Sequence, residues 1–269
     1  MNNNGHEKKQ LIAEVFDRAA AGYGHLRYVQ PFGRRLVELA QIPVGANVLD
    51  VASGRGAVLF PAAERVGPQG QVVGIDLSPA MVLETSLETR RRGLTNVIIY
   101  PMDAETLKFP RASFDYVLCG FGLFFFPEPQ RALFEFQRVL KPGGRLAVTI
   151  WGAEDERWRW YDELLATYGA VVKLKNQIFN QREGLELSLR QAGFSDIRLV
   201  TEEADIPFAD EAEWWAGQWS ISGRAGLERL EPAALDQMKA EVFEKIQALK
   251  QPDGLPCRYQ THFGLATKR

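Results

Sequence analysis

Asn47-Val48-Leu49-Asp50-Val51-Ala52-Ser53-Gly54-Arg55-Gly56 is the stretch whose reading decides the fold. Its apolar run, residues 48–52, is short enough for a buried strand, and it breaks at Ser53-Gly54-Arg55-Gly56. Residues 57–66 then read as a helix. A strand, a tight glycine turn and a helix make the opening unit of a nucleotide-binding α/β domain. Glycine is needed because the chain turns sharply and lets a ligand approach its backbone. The helix aims unpaired N–H groups at that ligand.

The kind of ligand follows from the details. A dinucleotide fingerprint asks for Gly-x-Gly-x-x-Gly. Counted from Gly54, the second glycine is Gly56 but the third position is Leu59; counted from Ala52, the match is Ala52-x-Gly54-x-x-Ala57. Asp50 also lies inside the strand end, four residues before Gly54. Its carboxylate would repel a pyrophosphate and attract an ammonium. A ligand with a cation and no pyrophosphate fits better.

Residues 48–56 resemble the first motif of the class I S-adenosylmethionine-dependent methyltransferases. That family usually has glycine where this chain has Ala52, so a small difference in backbone geometry is expected there. The resemblance implies S-adenosyl-L-methionine as cofactor, with an ammonium and a sulfonium and no phosphate, in agreement with the charge argument.

At 269 residues the chain has room for one large domain, or one domain with a cap. Apolar residues make up 46% and charged residues 25%, as in an ordinary globular chain. A net charge of −2 offers no broad basic face, so nucleic acid is not an expected partner. Cys119 and Cys257 cannot make a disulfide framework. No apolar run approaches the roughly 20 residues of a membrane span, and the polar start has no signal-peptide core. The expected location is a reducing cytoplasm.

Ahead of the first strand, residues 1–6 read as a loose tail and residues 7–21 as an amphipathic helix carrying Leu11, Ile12, Val15, Phe16 and Ala19. Gly22-Tyr23-Gly24-His25 reads as a turn, and residues 31–40 as a second helix. Residues 15–23 look like the N-terminal segment of ubiquinone/menaquinone-type methyltransferases, which implies closure over cofactor and substrate. The plainer alternative is that Phe16 and Tyr23 pack the helix pair on the core.

Gln71-Val72-Val73-Gly74-Ile75-Asp76 is the second strand, followed by Leu77, then Ser78 as helix N-cap and Pro79 as first helical residue. An acid at this strand end can accept from both hydroxyls of a ribose. Residues 96–100 form a third strand, leading into Pro101-Met102-Asp103-Ala104-Glu105. The resemblance implies that Asp103 accepts from the adenine amino group, the Ala104 amide donates to the ring and Met102 lies on its face. Glu105 is expected only to begin a helical turn.

Residues 113–120 are the fourth strand, and Phe121-Gly122-Leu123-Phe124-Phe125-Phe126 follows. Cys119, Gly120 and Phe121 are expected to line the slot where cofactor and substrate meet, with Phe124 and Phe125 in the core. Asp115 starts the strand, on the far side of the sheet. Residues 129–140 form a helix broken by Lys141-Pro142-Gly143-Gly144, and residues 145–151 are the fifth strand. Residues 139–146 again resemble a family signature.

Residues 154–170 and 182–192 read as helices, residues 194–200 as a sixth strand, and residues 210–250 as largely helical. Residues 258–266 are the last strand, which the family places antiparallel between the fifth and sixth. The expected architecture is an α/β, Rossmann-like sheet of seven mostly parallel strands. Residues 1–44 and 210–250 would form a helical cap over a core of residues 45–209 and 251–269. Most tryptophans are expected to fill the cap interface, while aromatic residues around the cleft favour a flat or apolar substrate.

The expected activity is in-line methyl transfer to oxygen or carbon of a small metabolite, in which positioning supplies much of the rate. A base would help a hydroxyl or carbon acid, and His25 is the candidate; His6 lies in the tail and His262 in the core. The cofactor set is Tyr23, Asp50, Ala52, Ser53, Gly54, Gly56, Asp76, Leu77, Met81, Met102, Asp103, Ala104, Cys119, Gly120 and Phe121. No cluster has metal-ligand spacing. The alternatives are a protein that binds S-adenosylmethionine without transferring methyl, and a nicotinamide-dependent oxidoreductase, which Leu59 and Asp50 disfavour. Oligomeric state is open.

Overall fold

The computed structural model describes residues 3–23, 26–179 and 181–269. Two helices, α1 (Asn3–Tyr23) and α2 (Val29–Ala40), precede β1 (Asn47–Val51), α3 (Leu59–Val66), β2 (Gln71–Asp76), α4 (Pro79–Arg91), β3 (Val97–Pro101) and β4 (Phe114–Gly120). Then come α5 (Pro129–Val139), β5 (Leu140–Trp151), α6 (Arg159–Thr167), α7 (Arg182–Gln191) and β6 (Phe194–Asp205). α8 (Glu211–Trp219), α9 (Arg224–Leu227), α10 (Pro232–Gln247) and β7 (Arg258–Lys268) complete the chain.

The seven strands run β3-β2-β1-β4-β5-β7-β6, with β7 antiparallel to both β5 and β6. The order reverses between β1 and β4, so a crevice opens beyond their carboxyl ends, where ligands sit in open α/β sheets. β1 and β4 are shielded on both faces: Val48, Leu49, Val117 and Leu118 have no exposed surface. Parallel strands covered on both sides need such continuous apolar runs.

Several boundaries differ from the sequence reading. α1 begins at Asn3, so residues 3–6 are helical and not a tail, and it continues through Tyr23 instead of turning at Gly22. β5 begins at Leu140, because the Lys141-Pro142-Gly143-Gly144 break is accommodated as a register irregularity against β4. Residues 154–170 hold a short 3-10 turn, Glu156–Trp158, before α6. Ser78 caps α4 as expected, accepting from the Met81 amide at 3.1 Å.

α2 presses Phe32, Leu36, Val37 and Ala40 onto the core, each large side chain worth about 1.5–3 kcal/mol when fully buried. Gly33 sets its approach: a Cβ there would lie 2.3 Å from the Ala57 carbonyl oxygen. A separate apolar cluster joins Tyr161, Leu164, Trp214, Trp215, Leu227, Met238, Val242 and Ile246. It places α6, α8 and α10 over the carboxyl edge of β5.

Candidate active site

Three connected cavities occupy the crevice. The inner one, about 90 Å³, runs from Ala52 and Gly54 past Asp76 and Leu77 to Met102, Asp103 and Ala104. A small tail cavity of about 30 Å³ is lined by Asp50, Ser53, Arg55 and Gln30. An outer cavity of about 300 Å³ lies between the sheet edge and the helices after β5. Tyr23 and Phe121 line all three.

The turn after β1 makes the first two. Ala52 and Gly54 have positive φ, 54° and 49°, a conformation open to glycine and strained for alanine. The Ser53 amide donates to the Ile75 carbonyl at 2.9 Å and Thr85 Oγ1 to the Gly54 carbonyl at 2.6 Å. Asp76 ties the two strand ends together: its Oδ2 accepts from the Gly54 amide at 2.8 Å and its Oδ1 from the Ser78 amide at 2.9 Å. Burial pushes Asp76 up to about 6, against the pull of those two amides.

Asp50 is fully buried, and among the described residues both its oxygens lack a hydrogen-bond partner. Burial holds its carboxyl well above the usual range, with Asp76 adding to the effect. Ser53 Oγ and Arg55 Nε are also buried without a partner. An acid, a hydroxyl and a guanidinium N–H, all open on one small cavity, are complementary to the ammonium and carboxylate of an amino-acid tail. The residues present therefore fit S-adenosylmethionine, and a pyrophosphate would meet Asp50.

At the other end, Asp103 Oδ1 accepts from the Glu105 amide at 2.9 Å, while its Oδ2 accepts from Lys9 Nζ at 2.7 Å. Lys9 also pairs with Glu105, which is almost wholly buried and accepts from the Glu128 amide at 2.7 Å. Glu105 thus does more than begin a turn. α1 is fastened over the crevice at two further points. Asp17 Oδ1 accepts from Ser78 Oγ at 2.5 Å and from the Ala80 amide at 3.0 Å, and Arg55 Nη1 donates to the Ala20 carbonyl at 2.6 Å.

The outer cavity is walled by rings. Phe121 stacks on Trp151 with centroids 3.8 Å apart, Tyr28 on Tyr259 at 4.6 Å, and Trp158 on Trp214 at 4.9 Å. Three of the six tryptophans, Trp151, Trp158 and Trp214, face it, more than the sequence reading assigned. Phe16 and Phe125 lie at the junction of the inner and outer cavities, so Phe125 is a wall residue and not core.

Of the residues selected from sequence, Tyr23, Asp50, Ala52, Ser53, Gly54, Asp76, Leu77, Met81, Met102, Asp103, Ala104, Gly120 and Phe121 line the inner or tail cavity. Cys119 does not: it is fully buried, and its thiol is pushed far up by that burial. Gly56 lines none of the three cavities; a Cβ there would strike Phe60 at 2.4 Å, which makes it a packing residue of the turn. His25 lies outside the described residues. His262 is buried, with Nδ1 2.9 Å from Thr201 Oγ1. Among the described residues no His, Cys, Asp and Glu group could hold a metal ion, and no helix is long and apolar enough to cross a membrane.

Sequence reasoning missed Lys9, Asp17, Arg55 and Phe125. Lys9 and Asp17 act across 94 and 61 positions of chain, a pairing without a local signal. Arg55 stands inside the quoted motif, and its charge beside Asp50 was the available clue.

The model of a methyltransferase domain matches residues 49–148. The chain is 43% identical over 143 residues to aklanonic acid methyltransferase of Streptomyces sp. (strain C5), covering 52% of this chain and 65% of that protein, just under two thirds of its length. It is 33% identical over 254 residues to nocamycin O-methyltransferase of Saccharothrix syringae, covering 87% of this chain and 90% of that one. In architecture it resembles the YcgJ protein of Bacillus subtilis, with a TM-score of 0.61 at 19% identity over 89% of this chain and 99% of that one.

Proposed function

Since this chain belongs to the S-adenosylmethionine-dependent methyltransferases of small-molecule type, we propose that it methylates an oxygen of a flat, polycyclic metabolite seated in the outer cavity. One observation carries the reading: the ring-walled outer cavity and the inner cavity share Phe16, Tyr23, Phe121 and Phe125. Two relatives, named for aklanonic acid and for O-methylation of nocamycin, support both the acceptor class and the atom.

The geometry supports the following roles. Asp50 takes the ammonium of the cofactor and Asp76 its ribose hydroxyls, while Asp103 and the Ala104 amide face its adenine. When bound, S-adenosylmethionine supplies a methyl group on a positively charged sulfur, already activated for displacement. The four shared aromatic side chains keep water from the junction and hold the acceptor in line, so positioning does most of the work. The elements before β1 and the helices α8, α9 and α10 act as a cap on the core. Two free, buried thiols agree with a reducing, cytoplasmic location.

The test is a calorimetric titration with S-adenosylhomocysteine and NAD, followed by incubation with S-adenosylmethionine and aklanonic acid or related polycyclic acids. The expected result is binding of the adenosyl ligand alone, and a product heavier by one CH2 whose new carbon is on oxygen. Binding of NAD instead, or a product methylated on carbon, would overturn the reading.

A further inference from the structure

Tyr23 and Tyr28 both line the outer cavity, and Tyr23 also lines the other two. Among the described residues neither hydroxyl makes a hydrogen bond within the protein, and neither is sealed from the cavity as the Tyr161 hydroxyl is. Both phenols belong to the wall of the same outer cavity. Their rings are fixed: Tyr23 meets Phe16 edge-on at 6.2 Å, and Tyr28 stacks on Tyr259. Two hydroxyls that open on the cavity, with no partner among the described residues, are free to donate to a ligand oxygen.

We propose that Tyr23 and Tyr28 form a two-phenol seat that takes the acceptor oxygen as an anion, orienting it by hydrogen-bond donation and not by removing its proton. This rests on the methyltransferase reading and adds the ionisation state of the acceptor to it. Burial pushes Tyr23 up to about 12 and Tyr28 higher still, so both keep their protons at neutral pH and serve as donors. Among the titratable groups facing the pair, Asp76 shares the inner cavity with Tyr23, and Cys257 and Tyr259 stand beside Tyr28; Glu154, Asp162, Arg159, Lys175 and Arg258 of the outer cavity are exposed, and Asp155 is engaged by Arg157 at 2.6 Å. The acceptor loses its proton to water. Its oxygen pair then forms the bond to the methyl carbon while the carbon–sulfur pair returns to sulfur, leaving a neutral thioether. Two donors stabilise the entering anion and match acceptors that are acidic in themselves, such as carboxylic acids and the hydroxyls of hydroxyquinones.

The probe is alizarin, a flat hydroxyanthraquinone whose neutral and ionised forms differ in colour. Its visible spectrum is titrated with pH on the protein saturated with S-adenosylhomocysteine, in the parent, Tyr23→Phe and Tyr28→Phe. The expected result is a bound hydroxyl more acidic than the free dye by about one pH unit or more, with each variant losing a large part of that shift while retaining dye binding, and with Tyr28→Phe also keeping the parent's affinity for S-adenosylhomocysteine. A bound dye with unshifted acidity, or a shift that survives in both variants, overturns the seat and leaves the methyltransferase reading standing. Binding of S-adenosylhomocysteine with no binding of alizarin removes the flat-acceptor reading and the seat with it.

Discussion

Lys9 Nζ lies 2.7 Å from Asp103 Oδ2, on the wall of the inner cavity. Lys9 comes from α1, so the helix that roofs the crevice is latched to the floor of the inner cavity. The same ammonium neutralises Glu105, whose side chain is 2% exposed. Replacing Lys9 with Met leaves Glu105 buried and unpaired, which costs about 1–3 kcal/mol after allowing for the partial exposure of Lys9. The expected outcome is faster amide exchange across residues 3–23 and a lower melting temperature. Exchange at the parent's rate would show that Lys9 does not hold the helix down.

The buried acid of β1 gives effects of opposite sign. In Asp50 the native value is raised, so its contribution to stability is full where the carboxyl is protonated, below the unfolded value of about 4, and is lost as pH rises through the native value. Asp50→Asn removes that loss. The ligand-free variant is expected to be at least as stable as the parent at neutral pH, while affinity for S-adenosylhomocysteine falls about 10- to 100-fold. A variant that melts several degrees lower would show that the carboxyl supports the fold and is not reserved for a ligand.

On the ribose role proposed for it, Asp76 would set the pH limit of cofactor binding. It must be ionised to accept from two hydroxyls while it also holds the Gly54 and Ser78 amides, and burial has pushed it up to about 6. S-adenosylhomocysteine affinity is expected to fall as pH drops through 6, by up to about tenfold per unit below it. In the free protein the sign is reversed: a raised carboxyl contributes stability below about 4, and that contribution is lost as pH rises to 6. A dissociation constant that is flat between pH 5 and 7 would separate Asp76 from the cofactor.

How much of this was legible in the sequence depended on the range of the interaction. The strand–turn–helix at Asn47 to Gly56, the acid ending β2 and the Asp103-Ala104 pair are local patterns, and from them Asp50, Ala52, Ser53, Gly54, Asp76, Asp103 and Ala104 line the crevice. The placement of β7 between β5 and β6 came only through the family resemblance. Cys119 was misplaced by one residue of strand period: neighbours on a strand point to opposite faces, so Gly120 reaches the crevice and Cys119 the core. Lys9 was illegible because only α1 lying over the crevice brings it to Asp103, and Phe125 because four phenylalanines in six residues after β4 do not say which of them faces the cavity.

Ala52 and Gly122 are a matched pair. Ala52 holds a left-handed φ of 54°, and a Cβ on Gly122 would come within 2.6 Å of the Ala52 methyl and 3.0 Å of Cys119 Sγ. Gly122→Ala is expected to cost about 1–3 kcal/mol through overpacking. Ala52→Gly alone is expected to be nearly neutral, because relief of about 1 kcal/mol of strain is offset by a freer unfolded chain. Combined, the two should recover part of the loss, with a coupling of at least about 0.5 kcal/mol in chemical denaturation. Strict additivity would deny the contact.

Phe121 shows the same strain with a clearer use. Its φ is 56°, its ring is stacked on Trp151, and its amide donates to Thr149 Oγ1 at 2.9 Å. A bulky residue in this conformation persists only where its surroundings enforce it. Thr149 is fully buried and supplies that hydrogen bond, so it positions the ring that lies between the inner and outer cavities. Thr149→Val keeps the shape and removes the acceptor oxygen. Turnover on an acceptor identified by product mass should fall about tenfold or more, since small misplacements at the reacting centre are costly. S-adenosylhomocysteine binding should stay within about threefold, because Asp50, Asp76 and Asp103 are untouched. Thr149→Ser, which restores the oxygen, should restore turnover. A Val variant with parental turnover would show that the stack on Trp151 and the bond from the Phe121 amide to the Thr149 carbonyl, 3.3 Å, hold Phe121 without the hydroxyl.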